Sequence, residues 1–332
     1  MTRRSHIIFQ GGSWAAARFR RLFPWLLRAT PPQYTPEVVR DAQSSANVPE
    51  LTPGGADDGQ PAAISLTPSV ELVSGRVGKL LVLRKDTGVS HSIKTSGVWA
   101  PRDLDLFAKL IKPGMFVADV GAYIGHHSVY FSQLVGPEGT VVAFEPQRIP
   151  FRALNGNLLL NDCNNVDAFN CALGAKAEPS ELWPHKEKAN FGAVPIVVKK
   201  AGLAPQITYK GEISVGQGGP TIEVSTLDLM LAHYRQSGRR LGFAKIDVQA
   251  FELFVLQGAI DILTHDRPLL FFEVSPYWMQ ALMGYDYMSI YELLHDHGYR
   301  VVDPFGNHRT STTRRWSGDQ DEEWDCLAIP DD

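Results

Sequence analysis

Two acids and two glycines carry the most legible chemistry in this chain. An apolar run over residues 116–118 ends in Asp119 and turns at once through Gly121 to Gly125, and a second run over 140–144 ends in Glu145 and Pro146. Strand, acid, glycine turn, helix, strand, acid is the plan of a nucleoside-cofactor pocket in an α/β sheet. The glycines let the backbone approach a ligand, and the second acid can accept hydrogen bonds from two ribose hydroxyls. For Gly121 and Gly125 alone, an ordinary strand–turn–helix explains the residues equally well; Glu145 puts the pocket ahead.

The spacing also bears on which cofactor fits. A dinucleotide fingerprint, G-x-G-x-x-G, seats a pyrophosphate on a helix N-terminus. Here the pattern is Gly121-x-x-x-Gly125, and Tyr123 stands where the second glycine belongs. A Tyr side chain there is expected to obstruct a diphosphate. Asp119 would repel phosphate but attract the ammonium or sulfonium of S-adenosylmethionine, so the local charge favours a cationic cofactor.

An ordered set of motifs extends this pattern along the chain: Asp119-Val-Gly-Ala-Tyr-Ile-Gly125, Ala143-Phe-Glu-Pro146, Asn190-Phe-Gly192, Thr226-Leu-Asp228, Lys245-Ile-Asp-Val-Gln-Ala-Phe-Glu252, Phe272-Glu273 and Trp324-Asp-Cys-Leu-Ala-Ile-Pro330. In these residues the chain resembles the FkbM-type S-adenosylmethionine-dependent methyltransferases, over roughly residues 75–330. The resemblance implies methyl transfer to a hydroxyl of a sugar, glycolipid or small-molecule acceptor, with S-adenosylmethionine as cofactor. It implies that Asp119, Gly121, Ala122, Tyr123 and Gly125 line the methionine side of the cofactor. Glu145 and Pro146 then belong at the ribose, and Asn170 and Cys171 at the adenine edge. Asp247 and Glu273 end strands near the transferable methyl and are the candidate catalytic acids, with Lys245 as a partner for one of them. Glu252 reads as a first-turn acid favoured by the helix macrodipole.

Two departures from the family pattern matter. The usual Glu-Gly after Lys-Ile-Asp-Val is Gln249-Ala250 here, so the charge at 249 is lost and Ala resists the positive φ open to Gly. Tyr123 replaces the commoner Asn, which is expected to reshape the cofactor rim. Two other readings therefore stand beside the enzyme: a cofactor-binding protein of the same fold without turnover, and a nicotinamide-dependent oxidoreductase, against which Tyr123 and the missing glycine argue.

Bulk properties suit a cytoplasmic enzyme. The chain has 332 residues, 44% hydrophobic and 20% charged, with net charge −4, which gives no nucleic-acid footprint. The three cysteines (Cys163, Cys171, Cys326) lack metal-ligand spacing and suit a reducing compartment. No metal site is expected. His126 and His127 are adjacent on a helix and point about 100° apart, so they cannot form a simple metal pair.

The first thirty residues differ from the rest. Six arginines and no Asp, Glu or Lys interleave there with Trp14, Phe19, Phe23 and Trp25. Such a segment could lie on an anionic membrane surface, be a flexible basic tail, or be one docked on its own acidic domain. Residues 31–65 read as a Pro, Gly and Ser-rich linker, with a short helix conceivable at 36–42. Oligomeric state is not legible.

The elements that must position these residues are strands alternating with helices, which implies a doubly wound, seven-stranded, mostly parallel α/β sheet over residues 66–332. Strands are expected at 116–119, 140–145, 166–170, 243–248, 269–274, 299–302 and 324–329, with the last antiparallel. Helices are expected at 102–111, 125–134, 151–160, 227–234, 251–263 and 289–297. Residues 66–97 read as short strands. A β-rich insertion at 175–223 interrupts the alternation and could cover the pocket as a lid.

Overall fold

Nearly continuous apolar runs form the central strands, and both faces of the resulting sheet are covered. In this computed structural model, residues 63–182, 196–197, 206–209, 212–215, 220–305 and 315–331 are described. The arginine-rich segment 1–30, the helix expected at 36–42, Asn190 and Gly192 lie outside them. The chain opens with an antiparallel sheet of β1 (Ala63–Ser65), β2 (Val70–Gly75) and β3 (Gly78–Leu83), followed by helices α1 (Val89–Ser96) and α2 (Pro101–Leu110). Then come β4 (Phe116–Val120), α3 (His126–Val135), β5 (Thr140–Phe144), α4 (Arg148–Leu160) and β6 (Val166–Phe169). Short strands β7 (Ala172–Leu173), β8 (Glu178–Leu182), β9 (Ile196–Val197), β10 (Gln206–Tyr209), β11 (Glu212–Val215) and β12 (Thr221–Ser225) follow. The second half contains α5 (Leu227–Gln236), β13 (Leu241–Ile246), α6 (Glu252–Gln257), α7 (Ile260–His265), β14 (Leu269–Val274), α8 (Met288–Asp296), β15 (Tyr299–Val302) and β16 (Trp324–Pro330).

The seven-stranded sheet has the order β15-β16-β14-β13-β4-β5-β6. Its strands from β6 to β14 pair in parallel, and β16 runs antiparallel to both β14 and β15. Phe116, Ala118 and Val120 of β4 face one core with α5 to α8, while Val117 faces the other with α2, α3, α4 and the β2–β3 hairpin. This is the double burial that makes parallel strands nearly continuous apolar runs. Strand order reverses between β4 and β13, so the crevice at their carboxyl ends is the topological switch point.

Three expectations change. Ala63–Ser65, expected at the end of the linker, forms a strand that pairs with β2. Residues 89–96 form a helix rather than a strand: Asp86 accepts from Ser90 N at 2.6 Å and Gly88 N at 3.2 Å, an acid serving the orphan N–H groups of a first turn. The helix expected at 251–263 is two helices. It breaks where Gly258 packs its Cα against the Gly174 carbonyl with no room for a Cβ, and Asp228 caps the second piece through Asp261 N (3.0 Å) and Ile262 N (2.9 Å). The Thr226-Leu-Asp228 motif is thus a double cap, since Thr226 Oγ1 also accepts from Leu229 N at the start of α5.

The hairpin is held to α4 by two asparagines one turn apart. Asn157 exchanges hydrogen bonds with Leu81 N (2.6 Å) and O (3.1 Å), and Asn161 does the same with Lys79 N (3.0 Å) and O (2.8 Å). Both amides stand in for a neighbouring strand. Asn157 Nδ2 also donates to Ile124 O at 2.7 Å, tying the hairpin to the glycine turn.

Candidate active site

The turn after β4 runs through the left-handed region at alternate residues: φ is +81° at Gly121, +52° at Tyr123 and +83° at Gly125. Gly121 N and Ala122 N both donate to Phe144 O at 3.0 Å, and Gly125 N donates to Ala122 O at 2.8 Å. Glu145 then closes the turn: Oε2 accepts from Tyr123 N at 2.9 Å and Oε1 from Gln147 N at 2.7 Å. The carboxyl is almost wholly buried, and burial pushes its pKa up to about 7 against those two N–H donors. The Tyr123 ring, which the spacing argument set against a diphosphate and on the cofactor rim, is instead buried with the hairpin residues, its hydroxyl near Asp86 and Ser90.

Asp119 and Lys245 face each other in register across β4 and β13. Both are buried. Lys245 Nζ lies 3.6 Å from Asp119 Oδ1, 3.3 Å from Asp247 Oδ2 and 3.4 Å from Gly121 O. The other oxygen of Asp119 accepts from Ser128 Oγ at 2.6 Å, while Oδ1 has no hydrogen bond. Burial raises the Asp119 pKa, opposed by the Lys245 ammonium and the Ser128 hydroxyl. Burial disfavours the charge on Lys245, but Asp247 and Asp119 outweigh it and hold the ammonium above its ordinary value. A buried lysine stays charged when it bridges two acids.

Asp247 follows β13 and is half-buried, its Oδ1 accepting from Gln249 Nε2 at 3.1 Å. Glu273, on the neighbouring β14, sits opposite Asp325 of β16. Its pKa is held well above the usual carboxylate range by burial and by Asp247, Glu323, Glu252 and Asp325. Asp325 is pushed up to about 7 by burial and by Asp103, Asp247 and Glu323. Asp103, in the first turn of α2, is raised to about 6 by burial and by Asp247, with Lys245 and Arg102 opposing. The carboxyl ends of β13 and β14 therefore gather several acids around one ammonium, and most of those acids are held towards their protonated form.

The structure brings Asp119, Gly121, Asp247 and Glu273 to this crevice and sets Glu145 one strand away. Asn170 is exposed and spends its amide on Glu145 O (2.8 Å) and Pro146 O (3.1 Å), so it shapes the rim of the β5 turn. Cys171 is buried, its thiol pushed up to about 12 by burial. Both histidines of α3 are buried. His127 packs edge-on to Phe107 at 5.5 Å, and His126 is held neutral, its pKa lowered by burial to about 3. Glu252 is the first-turn acid of α6, as expected, but it is fully buried, and its Oε1 accepts from Val248 N at 2.9 Å. Sequence reasoning missed Ser128, Asp103 and Glu323, which carry no motif, and did not single out Asp325 within the Trp324–Pro330 motif. Pro101 at the start of α2 was the one local signal for Asp103, since Pro favours a first helical turn.

Comparison with known proteins identifies the family. The methyltransferase FkbM domain pattern matches residues 119–301, more than half of the chain. The 31-O-demethyl-FK506 methyltransferase FkbM of Streptomyces tacrolimicus is 29% identical over 216 residues, which are 58% of this chain and 75% of that protein. Methyltransferase sdnD of Sordaria araneosa is 29% identical over 160 residues, and the match spans 43% of this chain and 60% of the relative's length. Among solved structures, Methyltransferase FkbM from Methylobacillus flagellatus KT aligns with a TM-score of 0.38 at 15% identity, covering 67% of this chain and 49% of that one. With Asp119, the glycine turn, Glu145, Asp247 and Glu273 all inside the matched region, the chain belongs to the methyltransferase FkbM domain family.

Proposed function

We propose that this protein is an S-adenosylmethionine-dependent methyltransferase acting on a hydroxyl oxygen of a sugar, glycolipid or small-molecule acceptor. The observation that carries the reading is the Asp119–Lys245–Asp247 array at the switch point, with Glu145 closing the turn on the next strand. The residues present fit the cofactor. Asp119 Oδ1 is a buried acceptor atom with no hydrogen bond. A carboxylate oxygen has two acceptor positions, so each oxygen of Glu145 retains one for a ribose hydroxyl after its backbone bond. Ala122, Tyr123 and Gly125 hold the turn in shape, while Pro146 lies beside the ribose with Glu145, and Asn170 and Cys171 bound the adenine side.

Bound there, S-adenosylmethionine would supply a methyl on a sulfonium for in-line transfer to the acceptor oxygen, with S-adenosylhomocysteine as the leaving group. Charge is neutralised in that step, so alignment and exclusion of water do much of the catalysis. Asp247 takes the hydroxyl proton as the new carbon–oxygen bond forms. Glu273, held in its acid form, donates a hydrogen bond to the acceptor. Lys245 stays protonated and keeps Asp247 aimed at the crevice. The name of the Streptomyces tacrolimicus relative supports transfer to oxygen. Among the described residues no helix is long and apolar enough to cross a membrane, and no group of His, Cys, Asp and Glu could hold a metal ion. The three cysteines are buried and free, which supports a cytoplasmic setting.

Thermal unfolding with S-adenosylmethionine, S-adenosylhomocysteine or a nicotinamide dinucleotide tests the reading. A ligand bound only to the native state at ~100 times its dissociation constant adds about 2.7 kcal/mol. Stabilisation by both adenosyl sulfur compounds, lost in Glu145→Ala, is expected. Stabilisation by the dinucleotide alone sinks the reading.

A further inference from the structure

The turn from Asp247 to Ala250 is held in an unusual backbone. Gln249 has φ +58° and Ala250 φ +70°, consecutive left-handed residues without a glycine. Side chains resist that region, and such conformations persist only where the surroundings over-determine them. Here three contacts do so. Val248 N donates to Glu252 Oε1 at 2.9 Å, Tyr285 Oη donates to Ala250 O at 2.9 Å, and the Asp247 carbonyl packs against the Cα of Gly121. The consequence is local: the left-handed turn folds Gln249 back so that its Nε2 donates to Asp247 Oδ1 at 3.1 Å. Lys245 Nζ holds the other oxygen.

We infer that Gln249 is a positioning residue: its side-chain amide fixes the Asp247 carboxylate from the side opposite Lys245 and, being uncharged, adds no further anion at that tip. The inference rests on Asp247 as the proton acceptor. A Glu at 249 would place a second carboxylate within hydrogen-bond distance of the first, and two carboxylates sharing a site cannot both ionise freely. The other charged groups facing Asp247 are Lys245 on β13, Asp119 on β4, Asp103 on α2, Glu252 on α6, Glu273 on β14, Asp325 on β16 and Glu323 just before it. All of them are constant in the comparison that tests the idea.

The full chain is compared with Gln249→Glu, Gln249→Leu and the double variant Asp247→Asn/Gln249→Glu, first by thermal unfolding from pH 4 to 8. The folded Gln249→Glu protein binds a shared proton more tightly than its unfolded chain, so its midpoint drops relative to the native protein as pH rises. In the double variant the Asn amide donates to the new Glu, and that relative drop disappears. The second readout is the resonance of S-adenosylmethionine carrying a carbon-13 methyl, followed with pH when bound. Its titration midpoint moves up by about one pH unit or more in Gln249→Glu, and Gln249→Leu, which only removes the amide donor, shifts the resonance and raises the midpoint by less. A pH-independent midpoint difference for Gln249→Glu, or the same drop in the double variant, overturns the contact. A methyl resonance that titrates alike in all variants overturns the positioning role. Failure of the labelled cofactor to bind at all counts against the proposed function, and the unfolding series still decides the Gln249–Asp247 contact.

Discussion

Gly121 and Asp247, 126 positions apart in the chain, meet backbone to backbone: a Cβ on Gly121 would collide with the Asp247 carbonyl. The contact welds the glycine turn after β4 to the turn after β13, and so sets the width of the crevice between them. Gly121→Ala meets a backbone atom that cannot swing aside and a φ of +81° that Ala resists. The variant is expected to lose about 3 kcal/mol or more of stability, in the range of severe backbone and packing lesions. Urea unfolding measures this, and an unchanged midpoint would show that the two turns move apart freely.

Relief of strain should be visible next to that contact. Ala250 sits at φ +70°, where a glycine pays no steric penalty. Ala250→Gly is expected to raise stability by about 1 kcal/mol, the cost of the left-handed region for an L-residue. Calorimetry of the two proteins at one pH checks the sign.

Buried acids make stability fall with pH. Glu252 is fully buried and its pKa stands at about 8, while Glu145 stands at about 7, both above the ordinary glutamate value of 4.5. The folded protein therefore binds more protons than the unfolded chain between roughly pH 4.5 and 8, and stability declines through that window as pH rises. Below it the penalty is absent; above it the penalty is complete. Glu252→Gln keeps the acceptor for Val248 N and removes the charge, so it is expected to flatten the decline and to be more stable than the native protein at pH 8 by a few kcal/mol. Guanidinium titrations at pH 5, 6.5 and 8 provide the comparison.

A motif residue can also be shown to have no part in binding. Asp228 caps α7 through two backbone N–H groups and lies among no residue of the crevice. Asp228→Ala is expected to cost about 1 kcal/mol, the usual loss for a cap, with S-adenosylmethionine affinity unchanged. A fall in affinity as large as that in Glu145→Ala would assign Asp228 to the site.

The period of the apolar residues was enough to locate the seven sheet strands, and the acids at their ends were legible because a strand–acid–glycine sequence is local. Asp119, Glu145, Asp247 and Glu273 were each visible in this way. The break at Gly258 was not, since nothing in residues 251–263 reveals that Gly174 and Asp228 will meet them. Nor was the burial of Tyr123, whose hydroxyl lies near Asp86 and Ser90.

By itself, then, the sequence determined the seven sheet strands and which acids end them, because hydrophobic period, turn glycines and strand ends are short-range properties. Only the tertiary structure decided which charges face one another and which are forced towards neutrality. Lys245 meets Asp119 through strand register, Asp103 and Asp325 arrive from opposite ends of the domain, and Glu252 loses its water to the core. The physical reason is that desolvation and charge pairing depend on distance in space, and parallel β-pairing brings together residues that the chain keeps far apart.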